Sequence, residues 1–143
     1  MKLRRATTKD WKLLLEWRND PQTRENSITT DEVPAQRHKI WLENVVEDPN
    51  RHLYIAEESG KPVGTVRADY DPETGVYELS WTTAPSARNM SLGKKMVKLL
   101  VATLEKRVLA QIKQGNNPSI KIAEHAGLRR QKENDGVLFY TNY

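Results

Sequence analysis

The stretch from His52 to Thr83 constrains the fold more than any other part of the chain. Three runs, His52–Glu57, Pro62–Asp69 and Val76–Thr83, are separated by two turn signals, Ser59-Gly60-Lys61 and Asp71-Pro72-Glu73-Thr74-Gly75. Connections this short join neighbouring antiparallel strands and leave no room for a crossover helix. In the third run Leu79, Trp81 and Thr83 alternate with Glu78, Ser80 and Thr82, the period-two pattern of a strand with two unlike faces. The chain must therefore be built around an antiparallel meander.

Helical signals flank the meander. Leu3–Thr7 reads as a strand, and Thr8 as the N-cap of a helix carrying Trp11, Leu14, Leu15 and Arg18, which Pro21 closes. Residues 20–33 read as an irregular loop. Pro34 opens a second helix with an apolar stripe of Ile40, Trp41 and Val45, ended by Asp48-Pro49-Asn50. After the meander, Leu92, Met96, Leu99, Leu100 and Thr103 line one face of a helix over Leu92–Lys106. Val108–Lys113 is a strand. Asn117-Pro118 starts a short helix that ends at Gly127. Leu128–Lys132 and Val137–Asn142 flank the hairpin turn Asn134-Asp135-Gly136. The order β-α-α-β-β-β-α-β-α-β-β predicts one mixed α/β domain over residues 1–143, and 143 residues suffice for a single core.

Several functional classes fall away. With no cysteine there is no disulfide, no thiolate nucleophile and no cysteine-ligated metal. His38, His52 and His125 lack metal-ligand spacing, so no metal site is expected. No apolar run approaches the roughly 20 residues a membrane span needs. Met1-Lys2-Leu3-Arg4-Arg5 is not followed by an apolar signal region, so the expected compartment is the cytoplasm. Charge is more informative. Residues 1–70 carry 12 basic and 12 acidic side chains, whereas Arg88–Lys132 holds 11 basic residues and only Glu105 and Glu124 as acids. Such a block calls for an anionic partner.

That block opens on Pro85–Lys95, where a loop leaves a strand and enters a helix. Lys94, Lys95 and Lys98 crowd the helix start, against the macrodipole, and free main-chain N–H groups point out of it. A bound anion answers both problems; three solvated lysines are the plain alternative. The segment is not a phosphate-binding P-loop, because Arg88 replaces its first glycine and Lys95 its Ser or Thr.

Arg88-x-x-Ser91-x-Gly93 resembles the R/Q-x-x-G-x-G/A loop of the GCN5-related N-acetyltransferases. Asn116-x-x-Ser119-Ile120-x-x-Ala123-Glu124-x-x-Gly127-Leu128, Thr82-Thr83-Ala84-Pro85 before the loop, and the order of elements are similar to that family as well. Trp17-Arg18-Asn19-Asp20-Pro21-x-x-Arg24 followed by His38-x-x-Trp41 resembles members that modify nucleotide-linked amino sugars or ribosomal-protein amino termini. The resemblance implies a central, mostly antiparallel twisted sheet of about seven strands flanked by about four helices. It makes residues 1–70 the acceptor half and 71–143 the acetyl-coenzyme A half. It also implies that Arg88 and the main chain from Asn89 through Met90, Ser91, Leu92 and Gly93 to Lys94 hold the pyrophosphate. Trp81, Thr82 and Thr83 would line the pantetheine arm, Asn116 and Ser119 would sit near the cofactor, and Arg18, Asn19, Arg24 and Trp41 would meet the acceptor.

Two positions depart from the family pattern. Ser91 replaces a glycine, where a Cβ restricts close approach to phosphate. Ala123 replaces the tyrosine that many members use to protonate the departing thiolate, which leaves another group, with Tyr140 and Tyr77 as candidates, or water. The implied reaction is direct attack of a primary amine on the acetyl thioester, assisted by a base. Glu78 is the candidate, as the only carboxylate on the strand before the loop; a solvent-facing glutamate is the alternative. The expected partners are acetyl-coenzyme A and a small amine, such as a nucleotide-linked amino sugar, with a protein amino terminus as the second acceptor. A non-catalytic coenzyme A binder is a further alternative. A nucleic-acid partner is disfavoured because no aromatic-and-basic motif accompanies the charge. No membrane partner is expected, and a homodimer stays open.

Overall fold

In the computed structural model, which describes residues 1–143, the meander forms as three long strands: β2 (Arg51–Glu58), β3 (Lys61–Asp71) and β4 (Val76–Thr83). Antiparallel pairing sets Leu53 against Arg67, Arg67 against Ser80 and Gly64 against Thr83. β1 (Lys2–Arg5) extends the sheet beyond β2. On the other side β5 (Val108–Lys113), β6 (Arg129–Asn134) and β7 (Val137–Thr141) complete a seven-stranded sheet in the order β1-β2-β3-β4-β5-β7-β6.

One junction breaks the regularity. β4 and β5 run parallel and pair only at Tyr77–Val108, Glu78–Leu109 and Leu79–Ala110. Beyond Leu79 the two strands part. β4 stays with β3, while β5 follows β7 along Leu109–Lys113. The sheet is thus split at one end between two well-paired halves.

Five α-helices cover it: α1 (Trp11–Asn19), α2 (Pro21–Glu25), α3 (Ala35–Glu47), α4 (Leu92–Leu104) and α5 (Asn117–His125). Cross-strand partners share a face, so Leu53, Thr65, Arg67 and Ser80 lie together under α3, where Arg67 stacks 5.3 Å from the Trp41 ring. Gly64, Trp81 and Thr83 occupy the opposite face, under α4 and α5. An added Cβ at Gly64 would come within 2.7 Å of both Met96 Sδ and Thr82 O, so the helix lies directly on the strand there. Leu42, Val45 and Ile55 fill the core, as do Leu79, Met96, Val97 and Leu100. No helix is long and apolar enough to cross a membrane.

The structure corrects some boundaries. Pro21 does not close a segment; it is the first residue of α2, with Asp20 as N-cap accepting from the Thr23 amide at 3.1 Å. Residues 20–33 therefore contain a helix that reads from sequence as loop, which makes five helices. Thr7, not Thr8, caps the first turn, in a reciprocal capping box with Asp10. α5 is capped by Asn116 rather than Asn117, its Oδ1 accepting from the Ser119 amide at 3.3 Å.

Candidate functional site

The split between β4 and β5 opens into a cleft of about 940 Å³. Its first wall is main chain. The Ala84 amide donates to Val63 O at 2.9 Å, and the Tyr77 amide donates away from β3 to Arg107 O at 3.0 Å. Antiparallel alternation then turns the main-chain groups of Trp81 and Thr83 toward the side that β5 has left. They form an open strand edge with no partner strand.

The second wall is the start of α4. Asn89 and Ser91 both hold left-handed conformations, with φ of 63° and 59°. Ser91 stands at the α4 N-cap without a side-chain capping bond. The first amide with a main-chain acceptor is Lys95, which reaches Ser91 O at 3.3 Å. The amides of Asn89, Met90, Ser91, Leu92, Gly93 and Lys94 have no acceptor within the protein. A row of free N–H groups at a helix start is an anion-binding surface. Gly93 seats the helix there, because a Cβ would lie 2.7 Å from Ile122 Cδ1 and 2.8 Å from Thr83 Oγ1. The Met90 side chain is exposed and lies outside the cleft.

A roof crosses the split from the amino-terminal half. Arg88 forms an ion pair with Asp20 and donates to Thr23 Oγ1 at 3.1 Å. The Arg88 guanidinium is therefore committed to α2 rather than free for phosphate. From the far side, Lys113 Nζ donates to Glu25 O at 2.8 Å, and Asn116 Nδ2 to Asn26 O at 3.2 Å. Trp81 Nε1 donates to Ser119 Oγ at 3.2 Å, joining the open edge of β4 to α5. Asn116 and Ser119 thus line the cleft as fasteners with their own polar bonds in use.

The sheet face under α3 completes the enclosure with Arg18, His38, Trp41 and Arg67. Arg18 Nη2 donates to Thr29 O at 2.8 Å, while its Nη1 is buried without a partner. Burial, and the nearby Arg24 cation, push the Arg18 guanidinium below its ordinary range. Burial likewise lowers Arg67, against the raising effect of Asp69 at 3.0 Å. His38 is buried against Trp41, its Nε2 has no partner, and burial lowers its pKa so that it favours the neutral ring. Two expected acceptor residues are absent from the lining. Both amide atoms of Asn19 are used on the Val33 main chain, at 2.9 and 2.8 Å, and Arg24 pairs with Glu32 at 3.6 Å. Nowhere do three His, Asp or Glu side chains converge as a metal site requires.

The family model described as the acetyltransferase (GNAT) family matches residues 11–128, most of the chain. The chain belongs to the acetyltransferase (GNAT) family. It is an N-acetyltransferase that uses acetyl-coenzyme A. Solved structures repeat the architecture. The aminoglycoside acetyltransferase AAC(6')-Ib, in complex with coenzyme A and kanamycin, is 24% identical over 98% of this chain and 92% of its own, with a TM-score of 0.83. The ribosomal-protein-alanine N-acetyltransferase from Brucella melitensis is 26% identical over 99% and 98%, with a TM-score of 0.78. A spermidine N-acetyltransferase chimera from Vibrio cholerae and hSSAT is 10% identical over 98% and 93%, with a TM-score of 0.82. A search of the curated proteins finds no match.

The cosubstrate of an acetyltransferase fits the groups present. The free amides of Asn89–Lys94 suit a diphosphate, and the open edge at Trp81 and Thr83 suits an amide-bearing chain laid along it. The candidate acid and base of this acetyltransferase stand differently. Glu78 lies on the α3 face, one residue before the last β4–β5 pair at Leu79, exposed, and accepts from Gln111 Nε2 at 3.2 Å. It stands at the rim, beside Gln111 and Ser80, which do line the cleft. Tyr140 is not brought to the cleft: it is buried on β7 between Ala110 and Arg130, and burial raises its pKa. Tyr77 packs on Tyr70, 5.0 Å between ring centres, also outside the cleft. The sequence gives no site role to Asp20, Arg37, His38, Arg67 or Lys113. Of these Asp20 and His38 left a signal, one inside the Trp17–Arg24 motif and the other one helical turn before Trp41.

Proposed function

We propose that this acetyltransferase transfers acetyl from acetyl-coenzyme A to the primary amine of a small nucleotide-linked amino sugar. The observation that carries the cosubstrate half of the reading is the run of unpartnered amides from Asn89 to Lys94 at the mouth of the β4–β5 split. Acetyl-coenzyme A supplies an activated acetyl thioester. The amides of Asn89–Lys94 would hold its diphosphate, and the main chain of Trp81 and Thr83 would align the pantetheine arm, pointing the thioester toward the place where the strands meet.

Glu78 stands at that junction and is the base we assign. It would take a proton from the acceptor ammonium, directly or through one water, since an amine with a pKa near 10 is mostly protonated at neutral pH. Gln111, bonded to Glu78, positions it. Transfer is direct, because the chain has no cysteine to carry the acyl group. No tyrosine lines the cleft, so the thiol would take its proton from water. Trp41 offers an apolar surface to the acceptor, while Asn19 and Arg24 shape the loop around it. The likeness to the ribosomal-protein-alanine N-acetyltransferase supports a second reading, with a protein amino terminus as acceptor.

Thermal denaturation with acetyl-coenzyme A tests the first step. At a hundredfold excess over Kd the fold gains about 2.7 kcal/mol. No shift at millimolar cosubstrate overturns the reading, and a shift with a DNA duplex instead revives the nucleic-acid alternative. A thiol-release assay on nucleotide-linked amino sugars and on amino-terminal peptides separates the two acceptors. Glu78→Gln should lower kcat by about 10²- to 10⁴-fold.

A further inference from the structure

The cleft is electrically one-sided. Four arginines and three lysines line it, and no aspartate or glutamate does. On the cosubstrate side Arg88 holds Asp20, Lys113 holds the α2 carboxyl end, and Lys94 and Lys121 line the cleft from α4 and α5. The acceptor side holds three more, Arg18 from α1, Arg37 from the first turn of α3 and Arg67 from β3. Resting on acetyl transfer as proposed above, we infer that Arg18, Arg37 and Arg67 form an anion subsite that holds a phosphate group of the acceptor.

The clearest sign is Arg18. One of its terminal nitrogens donates to Thr29 O at 2.8 Å, and the other is buried with no acceptor. Arg24, close by, has its own Nε buried without a partner and spends its head group on an exposed glutamate 3.6 Å away. Arg18 has no ion-pair partner of its own, and burying a guanidinium beside another cation without a counter-charge is unfavourable. A ligand anion supplies the missing acceptor and charge. The start of α3 faces the same way. Pro34 caps it without a side-chain bond, and the first helical amide with a main-chain acceptor is His38. Arg37 stands in that turn, so its charge and the helix dipole add. Arg67 is half-compensated by Asp69, at 3.0 Å, and forms the floor.

Phosphate is favoured over carboxylate by the count. Three arginines from three elements line the acceptor side of this one cleft, more positive charge than one carboxylate can satisfy, and arginine matches phosphate oxygens two at a time. Polycations such as kanamycin or spermidine, named with the structural neighbours, find no carboxylate among the lining residues and only Glu78 at the rim. The acceptor therefore carries an amine for Glu78 and a phosphate for the arginines.

The test is steady-state thiol release with saturating acetyl-coenzyme A and three acceptors: a UDP-linked amino sugar, free glucosamine and kanamycin. The UDP-linked acceptor should exceed glucosamine by about a hundredfold in kcat/KM, and kanamycin should be poorest. Arg18→Gln and Arg37→Gln should each raise KM for the UDP-linked acceptor about tenfold and shrink its advantage over glucosamine. Arg37 is exposed, so its variant reports even where Arg18→Gln fails to fold. Equal use of the three acceptors, a preference for kanamycin, or unchanged KM in the variants overturns the subsite. If acetyl-coenzyme A binds yet nothing is acetylated, it is the acetyl-transfer reading that fails. Calorimetric titration of UDP into the acetyl-coenzyme A complex then decides the subsite alone. Binding that weakens in both variants upholds it, and no binding overturns it.

Discussion

Replacing Gly93 by alanine sets two effects of known sign against each other. Gly93 is the second residue of α4, and alanine there gains about 0.5–1 kcal/mol of helix preference over glycine. The new Cβ would lie 2.7 Å from Ile122 Cδ1 and 2.8 Å from Thr83 Oγ1. Relaxed carbon contacts sit near 3.5–4.0 Å, so α4 must lift or its neighbours must turn. Overpacking of this kind costs about 1–3 kcal/mol. Crowding wins, with a net loss of about 1 kcal/mol and a fall in Tm of about 3 °C. Ile122→Val deletes the nearest offending atom. Alone it should cost about 1 kcal/mol. In the double variant the cavity and the methyl meet, so the loss should be smaller than the sum of the singles by about 1 kcal/mol. Urea denaturation of the four proteins measures this. Titration with acetyl-coenzyme A should show weaker binding in Gly93→Ala, partly restored by Ile122→Val, because lifting α4 moves the free amides away from the β4 edge. Strict additivity, or a Gly93→Ala protein as stable as the parent, would refute the close seating of α4.

Gly64→Ala should be worse, at about 2–3 kcal/mol by thermal denaturation, since one clashing atom is the main-chain oxygen of Thr82, which cannot rotate away. Ser91→Gly relieves a left-handed residue at φ 59° and should stabilise by up to about 1 kcal/mol while tightening acetyl-coenzyme A binding; calorimetry and melting curves read both. Asp20 is held below the ordinary carboxylate value of 3.8, chiefly by its bond to Arg88. Its contribution is therefore complete above that value and lost as the pH falls through the lower folded one, and Asp20→Asn should flatten the acid limb of the stability curve. His38 is held below 6.5 by burial, so stability should drop as the pH falls from 6.5 toward its lower folded value, and His38→Gln should remove that step.

How much of this was legible in the sequence depended on range. Alternation at Leu79, Trp81 and Thr83 and the turns at Gly60 and Gly75 announced the meander, because strand pairing across short turns is local. The helix over α4 was legible from its apolar stripe. α2 was not: five residues carry no period, and Pro21 reads equally as a stop or a start. The anion surface at Asn89–Lys94 was legible from its motif. The fate of Arg88 was not, because its partner Asp20 lies 68 positions away and nothing in either neighbourhood signals the pair. Tyr140 looked available because burial on β7 depends on pairing with β5 and β6, which sequence spacing does not register. The acceptor-side arginines come from three elements and line one cleft only once the sheet face assembles.

The short helix α2 constrains how such enzymes can be recombined. Its two ends are fastened to opposite banks of the split, to Arg88 on one side and to Lys113 and Asn116 on the other. A chimera that grafts a foreign acceptor lobe onto residues 71–143 would break all three fastenings at once, even with every cosubstrate contact kept. Recombination should therefore carry Asp20, Thr23 and the 25–26 main chain together with Arg88, Lys113 and Asn116 as one inherited unit. Acceptor preference would then be changed elsewhere, on the α3 side of the cleft, where no strap crosses.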